Sequence, residues 1–121
     1  MRQKYPFEVT IPRVVSLYHN YPSFYSILPR ASIWSDTILV RTSNRNYTAN
    51  EYEQLFADAG FPNGYTQFLD SERGIDFSAP NVSTYCFYSS GIPTPLTFLY
   101  SNGLNVPPMV IAAGDGDGRI N

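Results

Sequence analysis

The sequence predicts a mixed α/β fold, and three features point to it. A capped amphipathic helix at residues 49–59 is set among short apolar or β-branched runs at 36–42, 82–89, 96–100 and 109–113. Ten prolines and eight glycines are spread along the chain, which breaks it into short elements and argues against a helical bundle. At 121 residues the chain has the length of one ordinary domain, enough to close a single core.

Composition narrows the function classes. A formal charge of −2 provides no basic surface, so neither a nucleic-acid partner nor simple attraction to an anionic membrane is expected. Charged residues make up 15% and aromatics 16%, and so much ring area must be buried or must meet a ligand, which excludes a disordered tail. No apolar run approaches the roughly 20 residues of a membrane span. The start, MRQKYPFEVTIP, lacks the apolar stretch of a signal peptide. Taken literally, these features describe a soluble intracellular protein. The single cysteine, Cys86, excludes an internal disulfide. It reads either as a buried thiol acting as a small hydrophobe or as half of a bridge whose other half lies outside this chain.

The elements follow in order. Over residues 1–35, Pro6, Pro12, Pro22 and Pro29 prevent a long helix, while Tyr18, Tyr21, Phe24, Tyr25 and Trp34 form an adhesive aromatic segment. DTILVRT, residues 36–42, is a β-branched run that reads as a strand. Thr48 and Glu51 then make the S/T-x-x-E capping box. Behind it, Tyr52, Leu55, Phe56 and Ala59 fall on one helical face. Gly60 supplies a left-handed cap and Pro62 blocks continuation. A second helical stretch covers residues 65–72. VSTYCFYS, residues 82–89, has apolar or aromatic residues on both faces and reads as a strand in the middle of a sheet. GIPTP is expected to turn the chain, LTFLY at 96–100 to form a strand, and Asn102-Gly103 to make a type I′ hairpin turn. MVIAA, at 109–113, is a short apolar strand running into a glycine-aspartate turn.

That turn, GDGDGRIN, is compatible with two kinds of site. A calcium loop of the EF-hand type needs oxygen ligands at fixed positions, glycine at the sixth, and flanking helices. With Asp115 at the first position, Arg119 takes the fifth and Ile120 the sixth; with Gly118 at the sixth, Ala113 takes the first. MVIAA is also a strand former where a helix is required. Tight Ca²⁺ binding by the isolated peptide would nonetheless revive this reading. The other site is the triad acid of a hydrolase, carried on a turn at the carboxyl end of a buried strand, where it orients a histidine.

Three stretches, NYTANEYEQLFADAGFPNGY, PNVSTYCFYSSGIPTPLTFLY and GDGDGRIN, occur in an order that resembles the C-terminal half of the lecithin:cholesterol acyltransferase and lysosomal phospholipase A2 family. That family has an N-Y-T helix start, F-x-D-x-x-F-x-x-G, a V-x-x-x-C-L-Y-G strand, a G-x-P-T-P turn, a tyrosine-bearing hairpin and G-D-G-D-G-T-V. NYPSFYSILPRASIW, residues 20–34, is similar to its F-P-S…L-L-P…W segment, so the resemblance covers about residues 18–121. It implies an α/β-hydrolase fold seen as a C-terminal fragment, with residues 1–35 in the cap region and 36–121 in the core.

The resemblance further implies a serine acyl hydrolase or acyltransferase acting on phospholipid at a lipoprotein or membrane surface, without a cofactor, in a secreted or lysosomal protein. Asp117 aligns with the catalytic acid, and Asp115 would shape the turn. Cys86 aligns with a cysteine that pairs further downstream, and the sequon at Asn46 has a counterpart in the family; a second sequon stands at Asn81. Two departures are Arg119 for the threonine after D-G and Ser89 for the glycine of C-L-Y-G. Arg119, beside the acid, keeps open a second reading: a non-catalytic paralogue or truncated lipid-binding chain.

An acid does no chemistry alone. The sequence has no G-x-S-x-G nucleophile elbow, since Ser89 and Ser90 precede Gly91 without a glycine two residues before them. Its one histidine, His19, lies before the acid in the aromatic segment and reads as structural or exposed. The serine is expected upstream of Met1 and the histidine downstream of Asn121. The chain alone is expected to show no turnover, and to fold poorly or associate because strand 82–89 would lack neighbours.

Overall fold

The structure, a computed structural model, describes residues 21–76 and 78–119. It is mixed α/β. Two short helices, α1 (Pro22–Tyr25) and α2 (Ala31–Trp34), precede strand β1 (Val40–Thr42) and strand β2 (Asn46–Tyr47). A 3-10 turn, Ala49–Glu51, opens into α3 (Tyr52–Asp58), and α4 (Asn63–Arg73) follows. Strands β3 (Ile92–Tyr100) and β4 (Met109–Gly116) complete a four-stranded sheet of order β2-β1-β3-β4. The outer pairs are antiparallel and the central pair, β1 with β3, is parallel. A parallel pair needs a long crossover, and here the crossover contains β2, α3 and α4.

The helical expectations are met. Thr48 and Glu51 form the capping box: the Thr48 hydroxyl accepts from the Asn50 N–H at 3.3 Å, and the Glu51 carboxylate accepts from the Thr48 N–H at 3.0 Å. Gly60 has φ of +75° after the last turn of α3. Tyr52, on the apolar face, is 4% exposed. Its ring meets Phe68 edge-on at 5.1 Å and lies 6.2 Å from Phe56, and its hydroxyl donates to the Pro29 carbonyl at 2.8 Å. Leu39, Ala49 and Tyr52 form the centre of the core, with Leu28, Trp34, Leu55, Phe56, Tyr65 and Phe68 packed around them. The fork of Arg30 grips the Glu72 carboxylate with two contacts of 2.7 Å and ties the α1–α2 region to α4.

The aromatic N-terminal segment therefore divides. Tyr25 is buried and Trp34 packs on the core, whereas Tyr21, Phe24, Ile27 and Ile33 are exposed. Tyr18 and His19 lie outside the described residues.

The strand expectations need four corrections. The run at 36–42 forms a strand only over Val40–Thr42, although the Leu39 N–H still donates to the Tyr47 carbonyl. Residues 82–89 form no strand: they are irregular and exposed throughout, with Tyr85 at 82% and Phe87 at 93%. No described strand runs alongside to take their N–H and C=O groups, so apolar residues on both faces have nothing to pack between. IPTP, expected in a turn, is the first half of β3, and GDG is the last part of β4. Each supplies the other's partner, with Ile92 opposite Gly116 and Thr94 opposite Gly114. Strand β1 pairs with residues 98–100 of β3, so Pro93 and Pro95, which have no N–H to donate, lie outside that ladder. Finally, Gly103 has φ of +97° but Asn102, like every described residue other than glycine, does not have positive φ, so Asn102-Gly103 is not a type I′ turn; the β3–β4 connection runs over residues 101–108.

Two outcomes follow for stability. Thr48→Ala removes the cap oxygen and should lower unfolding stability by about 1 kcal/mol, read as the urea midpoint at constant slope. The second concerns pH. The Tyr47 hydroxyl, which donates to Asp58 at 2.7 Å, and then the Gln54 amide hold the Asp58 carboxyl below the ordinary carboxylate range. Because the folded chain binds that proton less readily, the stability it contributes is fully present above the unfolded value, about pH 4. It is lost as pH falls through the folded value. Tyr47→Phe should move Asp58 back toward the ordinary range in carboxyl NMR; an unchanged titration would contradict the assignment.

Candidate functional site

The terminal acid loop is built from two strand ends. Asp115, opposite Pro93 in register, accepts the Gly91 N–H on its Oδ1 at 2.6 Å. Gly91 has φ of +86° and turns the exposed segment into β3. Two residues further on, Asp117 forms a parallel bridge with Ile92 and is exposed. Its Oδ1 accepts the Arg119 N–H at 2.8 Å, the geometry of an Asx turn. Gly118 lies between them with φ of +93°, a conformation that L side chains rarely adopt, and a Cβ there would sit 3.4 Å from Ile92 Cγ2.

Thr94 joins the two strands at this point. It is completely buried, its Oγ1 accepts the Gly118 N–H at 2.8 Å, and its hydroxyl donates to the Ile92 carbonyl at 2.9 Å. The P-T-P segment thus holds the backbone of the residue next to Asp117. Sequence reasoning treated P-T-P as a turn and missed this role. A threonine between two prolines, preceded two residues earlier by Gly-Ile and followed by a strand, was the available signal.

The remaining predicted site residues lie outside these hydrogen bonds. Cys86 is exposed in the irregular segment before β3, not the buried thiol that was one reading of its single occurrence. Ser89 and Ser90 are exposed there too, with no strand-to-helix turn around them. Asn46 is exposed on β2, where its Oδ1 accepts from Arg41 Nε at 3.1 Å, and Asn81 is exposed. The loop is entered from a strand, whereas an EF-hand needs a helix. Among the described residues no three His, Cys, Asp or Glu side chains gather into a metal-sized group, and no helix is long and apolar enough to cross a membrane.

Chemically, the loop presents a carboxylate positioned largely by main chain. A carboxylate has about four lone-pair sites, so the bond from Arg119 does not exhaust its capacity to accept a ring N–H. That bond comes from the backbone, so any residue but proline at 119 would supply it. Arg119 in place of threonine leaves the turn intact.

No family model matches the chain. Curated relatives do. The chain is 38% identical over 97 residues to the lysosomal phospholipase A and acyltransferase of Canis lupus familiaris, a match covering 78% of this chain and 24% of that protein. It is 37% identical to the Bos taurus protein of the same name, with the same coverage. The match to the phosphatidylcholine-sterol acyltransferase of Eliomys quercinus is 34% identical over 97 residues, 78% of this chain and 32% of that protein. The chain spans about a quarter to a third of the length of these relatives.

The exposure of Cys86 has a direct consequence. In the folded 121-residue chain a thiol reagent should label one cysteine per chain at once without denaturant, as counted by mass spectrometry. Labelling that waits for urea would mean that this segment is covered.

Proposed function

Over 78% of its length this chain is homologous to the family of lysosomal phospholipase A/acyltransferases and phosphatidylcholine-sterol acyltransferases, and on that premise we propose that it is the acid-bearing part of a lipid acyl hydrolase or O-acyltransferase with an α/β-hydrolase core. Residues 36–121 belong to that core and residues 1–35 to its cap, where the exposed Tyr21, Phe24, Ile27 and Ile33 meet a phospholipid, lipoprotein or membrane surface.

Asp117 is the triad acid. It holds a histidine in the tautomer that takes the proton from a serine, and stabilises the imidazolium that forms. The serine attacks the acyl carbonyl of a glycerophospholipid, backbone N–H groups stabilise the oxyanion, and the acyl chain passes to a lipid alcohol or to water. Both partners come from outside residues 1–121, because the one histidine here precedes the acid and no serine stands on a nucleophile elbow. Cys86 bridges to a downstream cysteine, and Asn46 and Asn81 carry glycans, in keeping with a secreted or lysosomal protein.

The observation that carries the reading is the turn itself: a glycine-flanked carboxylate at the end of a strand, its own Oδ1 on the Arg119 N–H, tethered to the P-T-P strand through Thr94. The test begins with the transcript. If it is read outward from both ends, a G-x-S-x-G before Met1 and a histidine and cysteine beyond Asn121 are expected. In the protein so encoded, Asp117→Asn should lower acyl transfer by about 10⁴-fold with the unfolding midpoint unchanged. A message confined to these 121 residues, whose product transfers no acyl group, would favour the non-catalytic reading.

A further inference from the structure

We propose that Thr94 is the positioning residue of the acid loop: through the Gly118 backbone it fixes the direction in which the Asp117 carboxylate points. The inference rests on the reading of Asp117 as the acid and extends it to a residue that does not touch the reacting atoms.

Three observations converge on it. Thr94 is fully buried, at 0% exposure, yet it is polar. A buried hydroxyl is retained at a cost unless both its donor and its acceptor capacity are used. Both are used here: Oγ1 accepts from Gly118, which ties the acid loop to β3, and the O–H donates to the carbonyl of Ile92 on its own strand, a residue that itself bridges Asp117. Asp115, on the other side of the acid, is held by the Gly91 N–H. Asp117 is thus flanked by two tethers to the same strand. The second of them falls on a glycine at positive φ, whose backbone would otherwise have several accessible conformations.

Thr97 provides an internal control. It lies on the same strand, is 7% exposed, and spends its hydroxyl on the Ile38 carbonyl at 2.6 Å, joining β3 to the chain leading into β1. Loss of either hydroxyl weakens the fold; only loss of Thr94's should disturb the acid loop.

The experiment is amide exchange and carboxyl NMR on the protein that carries this segment, wild type first. The Gly118 N–H should be protected relative to the loop amide of Gly103. If the two exchange equally fast, the proposal is overturned without any variant. In Thr94→Val, Gly118 exchange should quicken by about tenfold and the Asp117 carboxyl resonance should move. Thr94→Ser, which keeps the hydroxyl, should restore both, and Thr97→Val should move neither. Should Thr94→Val fail to fold, the serine variant and the wild-type protection still decide the matter.

In an enzyme carrying this segment, Thr94→Val should lower kcat by about 10- to 100-fold with KM little changed. Full activity in Thr94→Val, alongside an inactive Asp117→Asn, would overturn the positioning role and leave the proposed function standing. An active Asp117→Asn would remove the proposed function itself.

Discussion

The parallel pairing of β1 with β3 is the constraint on which the rest of this structure depends. It brings Val40 opposite Phe98 and is sealed by the Phe98 N–H on the Leu39 carbonyl at 2.9 Å and the Thr97 hydroxyl on Ile38. Everything between the two strands has to form the crossover, so β2, α3 and α4 are layered where Leu39 and Val40 can pack against Tyr52 and Phe56. The β3–β4 hairpin, and the acid loop at its end, then join the helical layer through this pairing. A three-residue strand thereby positions the far end of the chain.

Polarity is handled differently in the two halves. On the helical side, tyrosines bury their rings and keep partners for their hydroxyls: Tyr52 on the Pro29 carbonyl, Tyr47 on Asp58. Burial accordingly raises the Tyr47 and Tyr52 hydroxyls above the ordinary tyrosine range, with the Asp58 bond adding to the effect at Tyr47. The other half leaves apolar surface uncovered: Val82, Tyr85, Phe87 and Tyr88 in the irregular segment before β3, and Met109, Val110 and Ile111 on the edge strand β4. The acid loop lies between these regimes, with its carboxylate exposed and its tether, Thr94, fully buried.

Side chain and main chain divide the work in that loop. Side-chain identity matters at Thr94, whose hydroxyl is both donor and acceptor, and at Gly118, whose φ excludes most other residues. It matters less at Arg119, which contributes a main-chain N–H.

What the sequence determined by itself is local. The capping box at Thr48 and Glu51, the apolar face at Tyr52, Leu55 and Phe56, and the stop at Gly60 were all legible, because each depends on residues within a few positions of one another. The order of the motifs also sufficed to point to the family of the curated relatives. What only the tertiary structure decided is non-local. IPTP and GDG look like turns by composition and become strand because each supplies the other with a partner. VSTYCFYS looks like a central strand and stays irregular and exposed because no described strand lies beside it. Thr94 acquires its role from a bond to a residue 24 positions away. A helix completes its hydrogen bonds within its own sequence, whereas a strand or a loop tether is completed only by a distant segment, and that partner is specified by the fold.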